Sequence, residues 1–195
     1  MLWVLFDLDG TLIDSFDTVV AHCRRAVSKL TGKVSTFPYA SYRHRDLHGF
    51  FDDVARHEHL SLDTFKQCYD TCYAEAFAEG TTLNAEPSQW VDTFRRHGLG
   101  IAVVTDKQTE VARLVCGHFL PHKVDVVIGR NGTRSIKHGG TLGTLLTQQG
   151  VQPADCLLYV GDSDTDACCA RQLNVPFVRV THGGTMLLET TKKPI

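Results

Sequence analysis

The sequence has no strong charge of either sign. Its 195 residues include 20 lysines and arginines and 22 aspartates and glutamates, for a net charge of −2 at pH 7. A chain this balanced produces no field that would attract nucleic acid or an anionic membrane surface. We therefore expect no nucleic-acid partner and no membrane partner. We expect a small substrate instead, bound by a monomer or a homodimer.

A long hydrophobic run is also missing. No stretch approaches the roughly eighteen apolar residues that a membrane-spanning helix requires. The apolar start of the chain, residues 1–6, has no basic leader and meets Asp7 too early for a secretory signal. We interpret this start as a buried strand and predict a cytoplasmic protein.

The seven cysteines do not form a metal-binding pattern. Their number is odd, their spacing is irregular, and no CxxC pair has a distant partner pair. We also assign no histidine pair as zinc ligands. This usage indicates buried free thiols in a reducing compartment.

Five short apolar runs predict strands that are covered on both faces. Continuous runs of this kind, rich in Val and Ile, are typical of a parallel sheet. Helical patterns separate the later four runs. This alternation predicts an α/β, doubly wound (Rossmann-like) core with a five-stranded parallel sheet. The predicted strands are residues 2–6, 100–104, 124–128, 156–160 and 176–180.

The interval between the first two predicted strands breaks this rhythm. It contains no convincing strand, and its apolar residues recur at helical spacing in three sets. An interval of about seventy residues is far longer than a simple crossover between parallel strands. We therefore predict a core of residues 1–14 and 83–195 with an inserted helical cap, or lid, of residues 15–82.

Two aspartates directly follow the first predicted strand. Residues 7–11 are Asp-Leu-Asp-Gly-Thr, and ligands of open α/β sheets bind at the carboxyl ends of the strands. Asp7 and Asp9 point the same way if the strand continues. Two such carboxylates repel each other unless a cation lies between them or one is protonated. Gly10 allows a sharp turn and a close approach to a ligand.

This stretch resembles the first motif of the haloacid dehalogenase superfamily. Asp9 points to the phosphatase branches, since the dehalogenases lack that second aspartate. The helical insertion is similar to the cap of the phosphoglycolate phosphatase and β-phosphoglucomutase branch. The resemblance implies a phosphoric monoester hydrolase that uses Mg²⁺ and forms an aspartyl phosphate on Asp7.

The second and third motifs of the family are identified with departures. Thr105 ends the second predicted strand and is followed by Asp106, where the phosphoglycolate phosphatases often carry Asn. A carboxylate beside a phosphate dianion weakens binding unless it is paired, and Lys107 is a possible partner. Lys137 is assigned as the phosphate-binding lysine, with Lys107 as the competing candidate. His138 replaces the usual proline after it, so the loop is less preorganised.

Residues 161–166 match the fourth motif, Gly-Asp-x-x-x-Asp. The resemblance implies a metal site of Asp7, Asp9, Asp162 and Asp166, with Asp9 contributing its carbonyl. The chain ends soon after residue 184, so we expect the last edge element of the core to be missing or shortened.

The resemblance also implies the catalytic roles. Asp7 is the nucleophile and Asp9 is the proton donor and acceptor, while Thr105 and Lys137 hold the phosphoryl oxygens. The candidates for substrate binding lie elsewhere along the chain. They are Gly10, Asp106 and, for a substrate carboxylate, Arg43 or Arg45 of the cap, although a solvated helix face is the alternative for these arginines.

The substrate class stays open at this point. Phosphoglycolate-like compounds, sugar phosphates and nucleotide monophosphates all fit the resemblance. A phosphomutase of the β-phosphoglucomutase type is the alternative enzyme, and a non-catalytic binding or regulatory protein is the alternative class. The intact Asp7, Asp9, Thr105 and Asp162 argue against loss of catalysis, whereas the altered surroundings of Lys137 argue for it.

Overall fold

The structure, a computed structural model, describes residues 1–43, 49–132, 134–137, 140–181 and 186–189. The chain divides into two units, one formed by residues 1–14 with 83–195 and the other by residues 15–82. Short 3₁₀ helices occupy Tyr39–Tyr42 and Pro153–Asp155. The other elements, in chain order, are β1 (Trp3–Phe6), β2 (Ile13–Asp14), α1 (Phe16–Thr31), α2 (Phe50–His57), α3 (Leu62–Ala76), β3 (Thr82–Leu83), α4 (Ala85–Arg96), β4 (Gly100–Gln108), α5 (Thr109–Phe119), β5 (Val126–Arg130), α6 (Leu142–Gln148), β6 (Cys156–Gly161), α7 (Asp164–Leu173), β7 (Phe177–Val180) and β8 (Met186–Glu189).

The first unit is built on a six-stranded sheet in the order β5-β4-β1-β6-β7-β8. The first five of these strands are parallel, which confirms the predicted α/β core. Strand β1 is central, and Val4 pairs with Ile101 on one side and Leu158 on the other. All four residues of β1 are buried. A strand covered on both faces needs apolar residues at every position, as its sequence provides.

Strand β8 pairs antiparallel with β7 and makes the sheet one strand larger than predicted. The sheet therefore continues past β7, where the sequence led us to expect a missing or shortened edge element. The short strands β2 and β3, which form a separate two-stranded sheet, were not predicted either.

The chain winds outward from β1 through β4 to β5 and then returns to β6 on the other side of β1. The strand order therefore reverses between β1 and β6. In open α/β sheets, ligands bind at such a reversal, outside the carboxyl ends of the strands. Asp7 follows β1 there and Asp162 follows β6, so both lie at this point of the sheet.

The second unit is helical, as its apolar spacing predicted. Helix α1 packs on α3, and α2 packs on α3 as well. Helix α1 buries one face, including Val19, Cys23 and Val27. Its end is fixed by Gly32, which has a positive φ of 70° and donates its N–H to the Ser28 carbonyl.

None of the helices in the described part of the chain combines the length and the apolar character needed to cross a membrane.

Candidate active site

Asp7 lies at the carboxyl end of the central strand with its side chain buried. Its N–H donates to the carbonyl of Val160 at 2.8 Å, which continues the pairing of β1 with β6. The hydroxyl of Thr11 lies 3.3 Å from Asp7 Oδ2 and 3.3 Å from Asp162 Oδ1. The two aspartates that end neighbouring strands are therefore linked through one side chain.

Gly10 is required by the same close approach. Its φ is +84°, and a Cβ at this position would come within 2.3 Å of Asp162 Oδ2. Any larger residue would therefore displace the Asp162 carboxylate. The sequence predicted Gly10 as a residue of the substrate site, and the structure places it against an acidic side chain of that site.

Lys137 connects the third and fourth motifs to Asp7. Its Nζ lies 2.5 Å from Asp7 Oδ1 and 2.7 Å from Asp166 Oδ1. All three side chains are buried, and Asp166 is 0% exposed. Charge-assisted hydrogen bonds of this kind are short and strong when water is excluded. The lysine is thus fixed beside the candidate nucleophile.

Both carboxylate oxygens of Asp166 accept hydrogen bonds from neighbouring side chains as well. Its Oδ1 accepts a hydrogen bond from Tyr159 Oη at 3.1 Å, and its Oδ2 accepts one from Ser163 Oγ at 2.6 Å. Ser163 also begins helix α7 in a capping box, accepting from the Asp166 N–H at 3.1 Å. Burial raises the pKa of Tyr159, so its hydroxyl keeps the proton that it donates.

Burial and neighbouring charge act differently on the titratable groups. Burial alone would lower the pKa of Lys137, but Asp166 and Asp7 outweigh it and raise that pKa well above its ordinary value. The lysine therefore stays charged. Burial, followed by the neighbouring Asp166, raises the pKa of Asp162 to about 6. A bound cation would offset both the burial of this carboxylate and its repulsion by Asp166.

The three carboxylates also lie close enough together to serve as ligands of one cation. One oxygen from each of Asp7, Asp162 and Asp166 lies within 4.8 Å of the other two. The side chain of Asp9, which the sequence placed at the metal site through its carbonyl, points to a different partner. Its Oδ1 lies 3.2 Å from the Nζ of Lys107.

Thr105 and the two candidate lysines occupy distinct places. Thr105 is 2% exposed and lies in β4 two residues beyond Val103, which pairs with Phe6. Its Oγ1 accepts the N–H of Lys107 at 3.1 Å. The Lys107 side chain contacts Asp9, whereas the Lys137 side chain contacts the candidate nucleophile Asp7.

Asp106 does not pair with Lys107, the partner that the sequence suggested. Its carboxylate accepts hydrogen bonds from Ser135 Oγ at 2.5 Å and from the Ile136 N–H at 2.8 Å. Both donors belong to the segment that precedes Lys137. The sequence had assigned Asp106 to substrate binding on its position after Thr105 alone.

Of the two predicted cap arginines, Arg43 lies within the described residues. The guanidinium of Arg43 pairs with Asp17 and lies over the ring of Phe16, 4.7 Å from its centroid. These contacts are all within the second unit. Arg45 lies outside the described residues.

Several residues around this site were not predicted to belong to it. Thr11 was part of the quoted motif without a role, and Tyr159 lay within an apolar strand. A tyrosine in a fully buried strand is a usable signal, because its hydroxyl needs a polar partner. Ser163, three residues before Asp166, is a helix-start signal that the sequence also contains.

A family model of haloacid dehalogenase-like hydrolases matches residues 4–180. The chain therefore belongs to the haloacid dehalogenase-like hydrolases, as its four motifs predicted. The predicted enzyme, a phosphatase of this family, is confirmed at the level of its class.

Curated relatives and solved structures agree with this assignment. The chain is 27% identical over 207 residues to the phosphoglycolate phosphatases of Shigella flexneri and Salmonella typhi, covering 92% of this chain and 81% of each relative. The structure of CbbY from Rhodobacter sphaeroides in complex with phosphate is similar with a TM-score of 0.74 at 18% identity, covering 93% of this chain and 87% of that one. A haloacid dehalogenase-like hydrolase from Streptococcus pneumoniae gives a TM-score of 0.68 at 18% identity, covering 93% and 85%. At this identity the two structures show the shared fold.

Proposed function

We propose that the chain is a Mg²⁺-dependent phosphatase that hydrolyses a small phosphorylated metabolite through an aspartyl phosphate on Asp7. The observation that carries the proposal is the Lys137 ammonium, 2.5 Å from Asp7 Oδ1 in a buried site. A carboxylate beside a fixed cation, at the carboxyl edge of a parallel sheet, combines a nucleophile with a place for phosphoryl oxygens.

The donor set fits Mg²⁺, which prefers oxygen ligands. We propose that Asp7 and Asp162 hold the ion together with the carbonyl of Asp9. Asp166 also lies within the group of three carboxylates. Its oxygens already accept hydrogen bonds from three side chains, so its main role in the proposal is to hold Lys137. When bound, the ion supplies positive charge to the phosphoryl oxygens and to Asp7.

In the first step, an oxygen of Asp7 forms a bond to phosphorus while the bond from phosphorus to the leaving oxygen breaks. Lys137 and the hydroxyl of Thr105 stabilise the negative charge on the phosphoryl oxygens. Asp9 gives its proton to the leaving oxygen, so the alcohol departs neutral.

In the second step, a water molecule attacks the phosphorus of the aspartyl phosphate. Asp9 accepts the proton of that water, inorganic phosphate leaves, and the Asp7 carboxylate is restored. Lys107, at 3.2 Å from Asp9, limits the positions that this carboxyl group can take between the two steps.

For the substrate, we propose a small phosphomonoester of the phosphoglycolate type, with sugar phosphates and nucleotide monophosphates as the other classes. The names of the curated relatives support the first class. We also propose that residues 15–82 serve as the lid that selects the leaving group, since the residues given chemical roles all lie in the other unit.

The proposal extends to the oligomeric state, the location and the binding partners of the protein. We propose a monomer or homodimer that works in the cytoplasm without nucleic acid or membrane. The net charge of −2 supports the absence of nucleic-acid and membrane partners, since neither a nucleic acid nor an anionic membrane surface would be attracted strongly.

The test is an assay of phosphate release from a panel of phosphomonoesters. The panel contains phosphoglycolate, several sugar phosphates, nucleoside monophosphates and p-nitrophenyl phosphate, each with Mg²⁺ and with excess chelator. We expect Mg²⁺-dependent release from at least one small metabolite at a kcat/KM well above that for the aryl phosphate. Catalytic efficiency on the metabolite then identifies the substrate class.

Two outcomes contradict the proposal. Absence of phosphate release from every compound, in a folded protein with Mg²⁺, removes the phosphatase activity. Transfer of the phosphoryl group between positions of a sugar, without release of phosphate, identifies the phosphomutase instead.

A further inference from the structure

Asp106 lies against the segment that carries Lys137. Its Oδ2 accepts from Ser135 Oγ at 2.5 Å, and its Oδ1 accepts from the N–H of Ile136 at 2.8 Å and more weakly from that of Lys137 at 3.4 Å. All three donors are on consecutive residues. A carboxylate is an acceptor with two oxygens, so it suits a group of donors of this kind.

The main chain of Asp106 holds the start of the same segment. Its carbonyl accepts a hydrogen bond from Arg130 Nε at 2.8 Å, and a second guanidinium nitrogen of Arg130 donates to the carbonyl of Gly132. Arg130 is only 4% exposed. One residue at the end of β4 therefore contacts the chain both where β5 ends and immediately before Lys137.

The backbones at the ends of β4 and β5 lie so close together that no side chain fits at Gly129. A Cβ on Gly129 would lie 2.6 Å from the carbonyl oxygen of Lys107 and 2.7 Å from Thr109 Cα. This close packing keeps Asp106 within reach of residues 135–137. The closeness of the two strand ends is therefore a feature of the backbone, and the Asp106 carboxylate makes its contacts from this fixed position.

The placement of Lys137 needs such support from outside its own segment. Its ammonium is buried and meets two carboxylates at 2.5 and 2.7 Å, a geometry that a small shift of the backbone would break. The residues that follow it are a histidine and two glycines, so no proline ring restricts the backbone there. Hydrogen bonds from residues 135–137 to a fixed acceptor can restrict the backbone in place of a proline.

We propose that Asp106 is a positioning residue, which holds residues 135–137 so that the Lys137 ammonium meets Asp7. The inference rests on the proposed phosphatase reaction, for which Lys137 is the phosphate-binding lysine. It differs from the substrate-binding role that the sequence suggested for Asp106. In that role, the carboxylate would face the phosphate dianion and weaken its binding.

The test is a double-mutant cycle of Asp106→Ala and Lys137→Met, assayed with p-nitrophenyl phosphate and Mg²⁺. We expect Asp106→Ala alone to lower kcat by about ten- to a hundredfold with a smaller change in KM, since it displaces a group that acts in the transition state. In the Lys137→Met background, the same substitution should lower kcat by less than about twofold, because the group it positions is already gone.

The conservative variant Asp106→Asn separates positioning from substrate contact. It keeps one acceptor oxygen for the Ile136 N–H, and its amide can donate to Ser135 Oγ. Under the proposal, kcat and KM stay within about threefold of the wild type. If Asp106 faced the substrate, loss of its charge would lower KM for the phosphate dianion.

Asp125→Ala is the matched control for stability. Asp125 also accepts a backbone N–H, that of Ile101 at 2.8 Å, but it lies ahead of β5 at the opposite end of the sheet. We expect this variant to lower the melting temperature and leave kcat unchanged. Equal losses of kcat in the two alanine variants would mean that Asp106 acts through stability alone.

Binding of inorganic phosphate, measured by calorimetry with Mg²⁺, gives a second readout for variants that turn over slowly. Affinity should fall with Asp106→Ala in the wild-type background and stay unchanged in the Lys137→Met background. An equal effect in both backgrounds, or no effect of Asp106→Ala on either kcat or affinity, overturns the inference. These outcomes require an active wild type, so they are distinct from failure of the proposed function, in which the wild type itself releases no phosphate.

Discussion

The two units of the chain differ in where their ion pairs lie. In the unit of residues 1–14 and 83–195, charged groups are buried in contact with one another, as in the pair of Lys137 with Asp166. The interior of residues 15–82 is rich in aromatic rings. Arg25 and Glu75 form an ion pair at its surface, where their side chains are 48% and 45% exposed, although Asp70 is buried in this unit.

The aromatic contacts of the second unit form a continuous series, with neighbouring ring centroids 4.7 to 6.2 Å apart. The rings belong to Phe37, Tyr39, Tyr42, Phe50, Phe51, Phe65, Tyr69 and Tyr73.

This difference shows where each unit tolerates change. An exposed ion pair contributes about 0–1 kcal/mol, whereas removal of one partner from a buried pair costs about 3–5 kcal/mol. Loss of a buried charge in the first unit should therefore cost far more stability than loss of an exposed charge in the second. The second unit, held by ring packing, can change its surface charges at little cost in stability. A specificity-determining lid would benefit from that freedom.

The strongest test of this contrast removes the buried charge of Asp7. Asp7→Asn keeps the shape of the side chain but weakens the nucleophile, and kcat should fall by about a thousandfold or more. Phosphate release is the measurement, with mass spectrometry to exclude deamidation of the new amide. Asp92→Asn makes the same chemical change in a half-exposed pair with Lys123 and should keep kcat within about twofold. Near-wild-type activity of Asp7→Asn would refute the nucleophile assignment.

A smaller difference is expected between the two lysines of the site. Lys137→Met removes the ammonium that touches Asp7, so kcat should fall by about 10²–10³-fold. Lys107→Met removes the contact to Asp9, and a loss of about tenfold is expected from the less well-placed proton donor. Steady-state kinetics on one substrate make the comparison. If kcat fell more in Lys107→Met than in Lys137→Met, Lys107 would be the phosphate-binding lysine instead of Lys137.

The sequence located the strands, and it identified the aspartates that cluster at the ends of β1 and β6 and in the first turn of α7, because both depend on local patterns. A strand buried on both faces needs an unbroken apolar run, and its carboxyl end is where the run stops. Strand β8 was missed because its apolar run of three residues, followed by Glu189, is too short to distinguish strand from helix. The contacts of Lys107 with Asp9 and of Asp106 with Ser135 join residues far apart in the chain. These contacts form because the sheet brings the ends of neighbouring strands together, and the spacing of residues along the chain does not reveal which side chains then meet.

The pH dependence of metal binding tests the crowding of carboxylates in the first unit. The pKa of Asp162 is raised to about 6, so the folded, metal-free protein takes up a proton there as the pH falls through 6. Its stability should therefore decline as the pH rises from about 4 to 6, because the folded state binds the proton more tightly than the unfolded chain. Mg²⁺ competes with that proton, so the Mg²⁺-induced rise in melting temperature should shrink below pH 6.

Thermal unfolding with and without Mg²⁺, at pH 5.0 and pH 7.5, makes the measurement. Asp162→Asn is the control, since an amide neither titrates nor offers the ion a charge. A Mg²⁺-induced shift that is equal at both pH values in the wild type would contradict a metal site that includes Asp162.

The smallest effect is expected in the second unit, at Arg43. Its guanidinium already pairs with Asp17 and lies over Phe16. A substrate carboxylate would have to compete with Asp17 for it, so the gain in binding would be small. We expect Arg43→Ala to lower kcat/KM by at most about tenfold on phosphoglycolate, which carries a carboxylate, and by less than twofold on p-nitrophenyl phosphate. Asp17→Ala is the matched variant, because it removes the partner and keeps the guanidinium. If Arg43 binds the substrate, Asp17→Ala should maintain or raise kcat/KM on phosphoglycolate while Arg43→Ala lowers it. Equal losses in both variants and on both substrates would instead assign the pair to the stability of the helical unit. The substrate carboxylate would then have to be recognised by residues other than Arg43.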